Sequence, residues 1–177
     1  MKAAEYFNNG YSCSESMIKW AIDEGLVSEE MLPLATPFSG GMGSGCLCGA
    51  IVGAQMIIGS QFGRDNKYGN ENLAKAKAKE FIQKFTEKHK ATCCRVLTRG
   101  MEFSGPNRKA HCTNMVDDCQ NFVNELLNSD SLYIPVILVF SFTASSTSLV
   151  SFFVSLFSFA TTTSFSTFGL FIFFLLL

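Results

Sequence analysis

The sequence predicts an all-α fold: a compact multi-helix bundle around a glycine-rich central helix, followed by an uncharged apolar C-terminal tail. Three observations support this prediction. Apolar residues recur at helical spacing in several segments, helix-capping residues precede those segments, and strands do not alternate with helices along the chain. The 177 residues are enough for one ordinary domain with some length to spare.

Charge divides the chain into two parts. All 14 Lys and Arg residues and all 15 Asp and Glu residues lie at or before Asp130. We therefore assign residues 1–128 to a cysteine-containing helical domain and residues 129–177 to a low-complexity apolar tail. The formal net charge of −1 excludes a protein that binds nucleic acid through bulk positive charge, so no nucleic-acid partner is expected.

The N-terminal segment contains a helix-start pattern. Ser12 followed by Glu15 forms a capping box, in which each side chain accepts a hydrogen bond from the other residue's backbone N–H. Helically spaced apolar residues follow, and Gly25 supplies the stop. The pattern predicts a helix between these points, preceded by a short helix over residues 2–7.

The next segment combines helix breakers with a glycine loop. A short helix is expected to start at Ser28, to be disturbed by Pro33 and to end at Pro37. Residues 39–45 form a glycine-rich loop that leads into an apolar run over residues 46–59. We interpret this run as a central buried helix, because it is too short and too rich in glycine to span a bilayer comfortably.

Glycine spacing indicates close packing of the central helix. Gly49 and Gly53 are four residues apart and therefore lie on one helix face. Because neither residue has a side chain, another helix can approach this face closely. Gly63 is expected to end the helix.

Two amphipathic helices complete the predicted domain. Asn70 caps the first, which extends to Lys90, and one further turn covers residues 93–97. After a loop over residues 102–106, His111 opens the final helix. The apolar stripe of the first helix consists of Leu73, Ala76, Phe81, Ile82 and Phe85. Its solvated face consists of Lys75, Lys77, Lys79, Lys84, Glu87 and Lys88.

Cysteine content directs the functional hypothesis. The N-terminus has no apolar stretch of the secretory type, so a cytoplasmic protein with reduced thiols is expected. In that compartment a cysteine-rich domain is catalytic, redox-active or metal-binding more often than it is cross-linked. The cysteines are Cys13, Cys46, Cys48, Cys93, Cys94, Cys112 and Cys119.

Helix position suggests which cysteines are reactive. Cys46 and Cys48 lie where the glycine loop enters a helix, and the N–H groups there favour a thiolate with a lowered pKa. The alternative is that these thiols fill a tight helix interface. Cys112 also lies at a predicted helix start, beside His111, which could stabilise a thiolate, bind a metal or simply lie on the surface. Packing is the expected role of Cys119.

Cysteine spacing matches no familiar metal motif. The chain has no Cys-x-x-Cys pair, so zinc ribbons and haem attachment are not indicated. A zinc or iron–sulfur site assembled from separate helices remains an alternative. Cys93 and Cys94 are adjacent and point apart, so at most one of them is expected to face a shared site.

Several segments together resemble a known family. The chain is similar to the small bacterial and archaeal proteins of the C_GCAxxG_C_C type, which are regarded as redox-active. The resemblance covers about residues 1–128. It is carried by an early cysteine, a glycine loop running into Cys-Gly-Ala-x-x-Gly, and two later cysteines. The matching segments are residues 10–16, 38–43, 48–54, 81–89, 94–97 and 112–127.

The resemblance implies an all-helical domain in which Cys13, Cys48, Cys94 and Cys112 are the family cysteines. We hypothesise a thiol–disulfide oxidoreductase or electron-transfer protein in which Cys48 is the poised thiolate and one of the other three is its disulfide partner. A redox partner protein or a small thiol would then exchange electrons with it. The alternatives are a zinc or iron–sulfur module that uses the same four thiolates, and a structural module with packed cysteines.

The tail supports two explanations. Residues 131–177 are uncharged, and residues 149–177 form a stretch long enough for one membrane crossing. One hypothesis is therefore a membrane anchor through residues 132–177. The other is translation after a frameshift near Ser129, because Phe, Ser and Leu all have pyrimidine-rich codons. On either hypothesis the tail cannot fold as a soluble unit.

Overall fold

A computed structural model confirms the all-α fold. It describes residues 1–102 and 104–129, all within one compact unit, Met1–Leu132, so the predicted tail lies outside the described residues. None of the helices in these two ranges is long and apolar enough to cross a membrane. The α-helices in the described part are α1 (Ala3–Asn8), α2 (Cys13–Asp23), α3 (Met31–Ala35), α4 (Gly49–Phe62), α5 (Asn72–His89), α6 (Cys94–Leu97) and α7 (Pro106–Ser129).

The predicted capping box is present at the start of α2. The hydroxyl of Ser12 accepts a hydrogen bond from the Glu15 N–H at 3.4 Å, and the Ser12 N–H donates to Glu15 Oε2 at 2.9 Å. The helix ends at Asp23, and Gly25 turns the chain away with a φ of 70°. The cap fixes the first turn, so the position of Cys13 within it is set by local sequence.

The short helix after α2 begins later than expected. α3 begins at Met31 rather than at Ser28, and Pro33 lies inside its first turn. Proline is tolerated there because the first N–H groups of a helix have no partner within the helix. Pro37 was expected to end this helix, but it lies inside a 3-10 turn, Thr36–Phe38, that directly follows α3.

The central helix also begins later than predicted, at Gly49 instead of Cys46. The reason is a tertiary contact, because the residues before it pair in an extended conformation with the segment before α6. The Cys48 N–H donates to the Thr92 carbonyl at 2.9 Å, and Leu47 forms an isolated antiparallel bridge with Cys93. Gly63 directly follows the last residue of α4, as predicted.

α4 lies at the centre of the bundle, in contact with α2, α5 and α7. The predicted role of its glycines is confirmed at Gly53, where an added Cβ would lie 2.7 Å from the Cβ of Met17 on α2. Fully buried side chains from all four helices fill the core around it, including Met17, Ile18, Trp20, Ile51, Ile57, Phe81, Phe85, Val116, Val123 and Leu126.

α5 differs from its predicted pattern at two positions. Leu73, assigned to the apolar stripe, is 50% exposed, whereas Lys77, assigned to the solvated face, is buried. The Lys77 ammonium group donates to the Ser129 hydroxyl at 2.9 Å and lies 5.5 Å from the centroid of the Phe62 ring. A lysine can be buried in this way because its polar end reaches hydrogen-bond acceptors while its stem packs against apolar groups.

The final helix is longer than predicted. α7 begins at Pro106, five residues before His111, and it contacts α1, α2, α4 and α5. Proline is favoured as the first residue of a helix, where its ring matches the required φ and no N–H is needed. α5, by contrast, begins slightly later than predicted, at Asn72. The side chain of Asn70 nevertheless accepts a hydrogen bond from the Asn72 N–H at 2.8 Å.

A candidate redox site lined by four cysteines

One cavity of about 280 Å³ brings together the four cysteines singled out by the sequence. Its wall is built from the ends of α1, α2, α4 and α6, the first turns of α7 and the loop that precedes α7. The thiols belong to segments that are distant in the sequence, each at or near the beginning of a different helix. The cysteines that line the cavity are Cys13, Cys48, Cys94 and Cys112.

Gly49 makes room for the Cys13 side chain at the start of α4. Cys13 is the first residue of α2, and Cys48 directly precedes α4. A Cβ added to Gly49 would lie 2.5 Å from the Cys13 sulfur and 2.8 Å from the Phe38 carbonyl oxygen. The glycine after the motif cysteine is therefore a packing requirement of the site.

The glycine loop positions Cys94 by a similar close approach. Gly41 has a φ of 67°, and a Cβ at this position would lie 2.8 Å from the Cβ of Cys94. The loop is closed by the Cys46 N–H, which donates to the Gly41 carbonyl at 2.9 Å. A side chain at residue 41 would therefore clash with both the loop and the cavity wall.

Arg108 brings a positive charge to the cavity sulfurs. Its Nη2 donates to the Cys94 sulfur at 3.8 Å, and it lines the cavity from the first turn of α7. Cys112 lies one turn further along the same helix, and the charge of Arg108 acts to lower its pKa. A guanidinium beside a sulfur favours the thiolate over the thiol.

The expected environment of Cys112 is wrong in one respect. Because α7 begins at Pro106, Cys112 lies in its second turn rather than at a helix start. His111 does not line the cavity, and its Nε2 is buried without a hydrogen-bond partner. Arg108, and not His111, is therefore the cation that the fold brings to the Cys112 thiol.

The lowered pKa expected for Cys48 is also wrong. Burial raises the pKa of this thiol to about 12, and the neighbouring Cys13 sulfur raises it further. The backbone N–H groups of Ala50 and Ile51 do act in the predicted lowering direction, but their effect is smaller than that of desolvation. Cys48 is therefore held as a neutral thiol at physiological pH.

The other cavity thiols are shifted in the same direction. Burial raises the pKa of Cys112 to about 11 and also raises that of Cys13, where an N–H from Gly40 partly offsets it. A charge on Cys13 raises the pKa of both Cys48 and Cys112, and a charge on Cys94 raises that of Cys13. A charge on Cys94 also raises the pKa of Cys48 and Cys112, so the sulfurs of the cavity lie close enough to influence one another.

The three remaining cysteines do not line the cavity. Cys46 is exposed, and Cys93 donates through its sulfur to the Gly45 carbonyl at 3.1 Å. Cys119 is fully buried in the apolar core, which confirms packing as its role. The expectation that at most one of the adjacent cysteines Cys93 and Cys94 faces the site is also confirmed, since only Cys94 lines the cavity. All seven are free thiols.

The donor set does not fit a metal or cluster. Within residues 1–102 and 104–129, no group of three or more His, Cys, Asp or Glu side chains is arranged to hold a metal ion. Metal binding also requires thiolates, and the burial that raises the pKa values of Cys13, Cys48 and Cys112 opposes that ionisation.

The sequence did not identify two basic residues that line the cavity, Arg108 and Lys109. Arg108 precedes Cys112 by four residues, a spacing that places both side chains on one helix face. That signal was hidden because the helix was expected to start only at His111.

Comparison with known protein families identifies a match. A family model described as "Putative redox-active protein (C_GCAxxG_C_C)" matches residues 11–126, which is more than half of the chain. The matched range includes all seven cysteines. No curated protein and no solved structure matches the chain.

Proposed function

The chain belongs to the C_GCAxxG_C_C family, and from this premise we propose that it is a cytoplasmic thiol–disulfide oxidoreductase whose cavity cysteines alternate between two thiols and one disulfide. The observation that carries the proposal is the convergence of Cys13, Cys48, Cys94 and Cys112 on one cavity. Thiols that only filled space would not need to border a cavity. Its partner is a small disulfide or a disulfide-bearing protein.

Cys94 is the thiol that attacks first. It borders the cavity next to the Arg108 guanidinium, which donates to its sulfur at 3.8 Å. The Cys94 thiolate attacks one sulfur of the substrate disulfide, whose S–S bond breaks as a mixed disulfide forms. The departing sulfur takes up a proton and leaves as a thiol. Cys48 is less suited to this step, because its pKa of about 12 keeps it protonated.

Cys13 completes the reaction. Its sulfur lies close enough to that of Cys94 for a charge on Cys94 to raise its pKa, and both residues line the same cavity. It loses its proton and attacks the Cys94 sulfur of the mixed disulfide, which releases the second substrate thiol. In total the protein loses two electrons and two protons, and the substrate disulfide gains both.

The test is oxidation of the full-length protein by hydroxyethyl disulfide, followed by mass spectrometry of the cysteine peptides. We expect a disulfide between Cys94 and Cys13 in the wild type. Cys94→Ser should slow the reaction by at least about 100-fold, because it removes the attacking sulfur. Cys13→Ser should stop the reaction at the mixed disulfide on Cys94.

Cys93→Ser is the matched control, because it removes the neighbouring thiol, which does not line the cavity. It should react at the wild-type rate. The proposal is overturned if Cys93→Ser and Cys94→Ser are equally impaired, or if the four cavity thiols stay reduced. Cavity thiols that also resist alkylation in the native protein would favour a structural module with packed cysteines.

A further inference from the structure

The charges around the cavity select among disulfide substrates. Resting on the proposed function, we propose that the cavity takes small anionic disulfides and thiols, whose carboxylate or similar group binds Arg108 and Lys109. Both residues line the cavity, and no Asp or Glu is among the described residues that do so. Two acidic residues lie beside lining residues without lining the cavity themselves: the exposed Glu102 lies next to Gly105, and Glu15 accepts a hydrogen bond from the Ser12 N–H in the capping box.

This positive charge is local to the cavity. The whole chain has a formal net charge of −1, so its overall field does not attract anions. Lys109 is held in place by the carbonyl of Asn8, to which its ammonium donates at 3.2 Å. That carbonyl is neutral and leaves the ammonium charge intact, so Lys109 can attract an anion at the exposed rim.

The position of Arg108 links anion binding to the redox step. Its guanidinium lies 3.8 Å from the Cys94 sulfur, deeper in the structure than the exposed Lys109. An anionic group held by this guanidinium would bring its own sulfur close to the attacking thiol. A guanidinium binds a carboxylate through two parallel hydrogen bonds, which also fixes the orientation of the substrate.

The remaining wall fits the rest of such a molecule. Ser39 and Ser104 contribute hydroxyl groups, while Leu97, Met115 and Val116 contribute apolar surface. The volume of about 280 Å³ accommodates a compact molecule with a short hydrocarbon stem rather than a folded protein loop. The substrate class is therefore a low-molecular-weight disulfide with an acidic end. In the proposed exchange it is reduced to two acidic thiols, while Cys94 and Cys13 are oxidised to a disulfide.

Three disulfides of similar size test the charge preference: dithiodipropionate, which is anionic, hydroxyethyl disulfide, which is neutral, and cystamine, which is cationic. The oxidation rate of the full-length protein by each is divided by the rate of the same disulfide with mercaptoethanol, which removes differences in intrinsic reactivity. We expect the normalised rate for the anion to exceed that for the cation by at least about 10-fold at low salt. Added salt should reduce this ratio.

Variants assign the preference to residues. Arg108→Gln should lower the anion-to-cation ratio by about fivefold or more, and Arg108→Lys should retain most of it. The ratio is the readout because loss of Arg108 also changes the reactivity of Cys94 towards every disulfide. Arg99→Gln is the matched control, since this exposed arginine lies outside the cavity lining and its loss changes the net charge equally. The control should leave the ratio unchanged.

Two results would overturn the inference while the proposed function stands. One is equal normalised rates for all three disulfides in the wild type. The other is an equal fall of the ratio in Arg108→Gln and Arg99→Gln, which would show a general charge effect. Absence of reaction with every disulfide would instead overturn the proposed function itself. The two failures are therefore distinguishable.

Discussion

The two halves of α7 have different roles. The first half carries Arg108 and Cys112 to the cavity. The second half packs on α5 to form an apolar seam, which we define by Phe81, Phe85 and Phe122. In the seam the Phe81 and Phe122 rings meet edge to face with centroids 6.2 Å apart. One helix therefore connects the region that carries the thiols with the region that holds the fold together.

The contrast lies in how each region uses its space. The seam is filled by large apolar rings, and the Lys84–Glu125 ion pair, at 2.9 Å, joins the same two helices at their exposed surface. The cavity instead has Gly41 and Gly49 where side chains would clash with Cys94 and Cys13. Substitutions in the seam should therefore change stability without changing reactivity, whereas substitutions at the cavity should change reactivity as well.

The largest expected effect is at the seam. Phe81→Ala removes a fully buried ring and should lower the free energy of unfolding by about 3–5 kcal/mol, measured by urea denaturation of the full-length protein. Leu73→Ala on the same helix, where the side chain is half exposed, should cost less than about 1 kcal/mol. Under conditions where Phe81→Ala remains folded, its oxidation rate should match the wild type. A rate that falls with stability would contradict the separation of the two regions.

A pair of glycines in α4 gives the next largest effect. Gly49→Ala places a Cβ 2.5 Å from the Cys13 sulfur and should destabilise the protein by about 2–3 kcal/mol while slowing oxidation. Gly59→Ala is the control, because a Cβ there meets nothing within 4 Å. It should be neutral or stabilise the helix by up to about 1 kcal/mol. Equal effects of the two substitutions, measured by urea denaturation, would contradict the packing argument.

Alkaline pH should lower the free energy of unfolding through the cavity thiol of Cys48. The pKa of Cys48 is about 12 in the folded protein and near 9 when unperturbed, so the folded state binds its proton more tightly. Its contribution to stability is full below about pH 9 and is lost as the pH rises towards 12. Between pH 8 and about pH 10.5, the wild type should lose about 2 kcal/mol more than Cys48→Ala, measured in urea with a reductant present. Parallel curves for the two proteins would show that this thiol is not desolvated.

The smallest effect is expected at the C-terminal end of α5, around His89. Burial lowers the pKa of His89, whereas Asp118, whose carboxylate lies 3.0 Å from His89 Nε2, raises it. Asp118→Asn should therefore lower this pKa further, as measured by NMR titration, at a cost of less than about 1 kcal/mol. Lys88→Gln should shift it upwards, because the Lys88 charge acts in the lowering direction. A shift of the same sign in both variants would refute this electrostatic assignment.

Local sequence predicted much of the fold. The capping box at Ser12, the stop at Gly25 and the end of the central helix at Gly63 are confirmed, because each depends on a few neighbouring residues. The starts of helices were predicted less well. Cys46 was assigned to α4, but its segment pairs instead with the strand-like residues before α6, a contact that no local pattern indicates.

At the candidate site, too, the sequence predicted some features and not others. The choice of the four cysteines came from motif and resemblance, and all four line one cavity. Their chemical states did not follow from the sequence. The sequence argument for Cys48 correctly predicted that backbone N–H groups lower its pKa. Burial raises that pKa by more than they lower it, and burial depends on packing from all sides.

The sequence by itself determined the helical class, the main caps and the set of cysteines, because spacing and composition act over a few residues. Only the tertiary structure decided that Arg108 lies beside Cys94, that Lys77 is buried and that Cys48 is a protonated thiol. Desolvation and Coulomb interactions depend on distances through space. The residues that set those distances here are up to about a hundred positions apart in the chain, as Asn8 and Lys109 are.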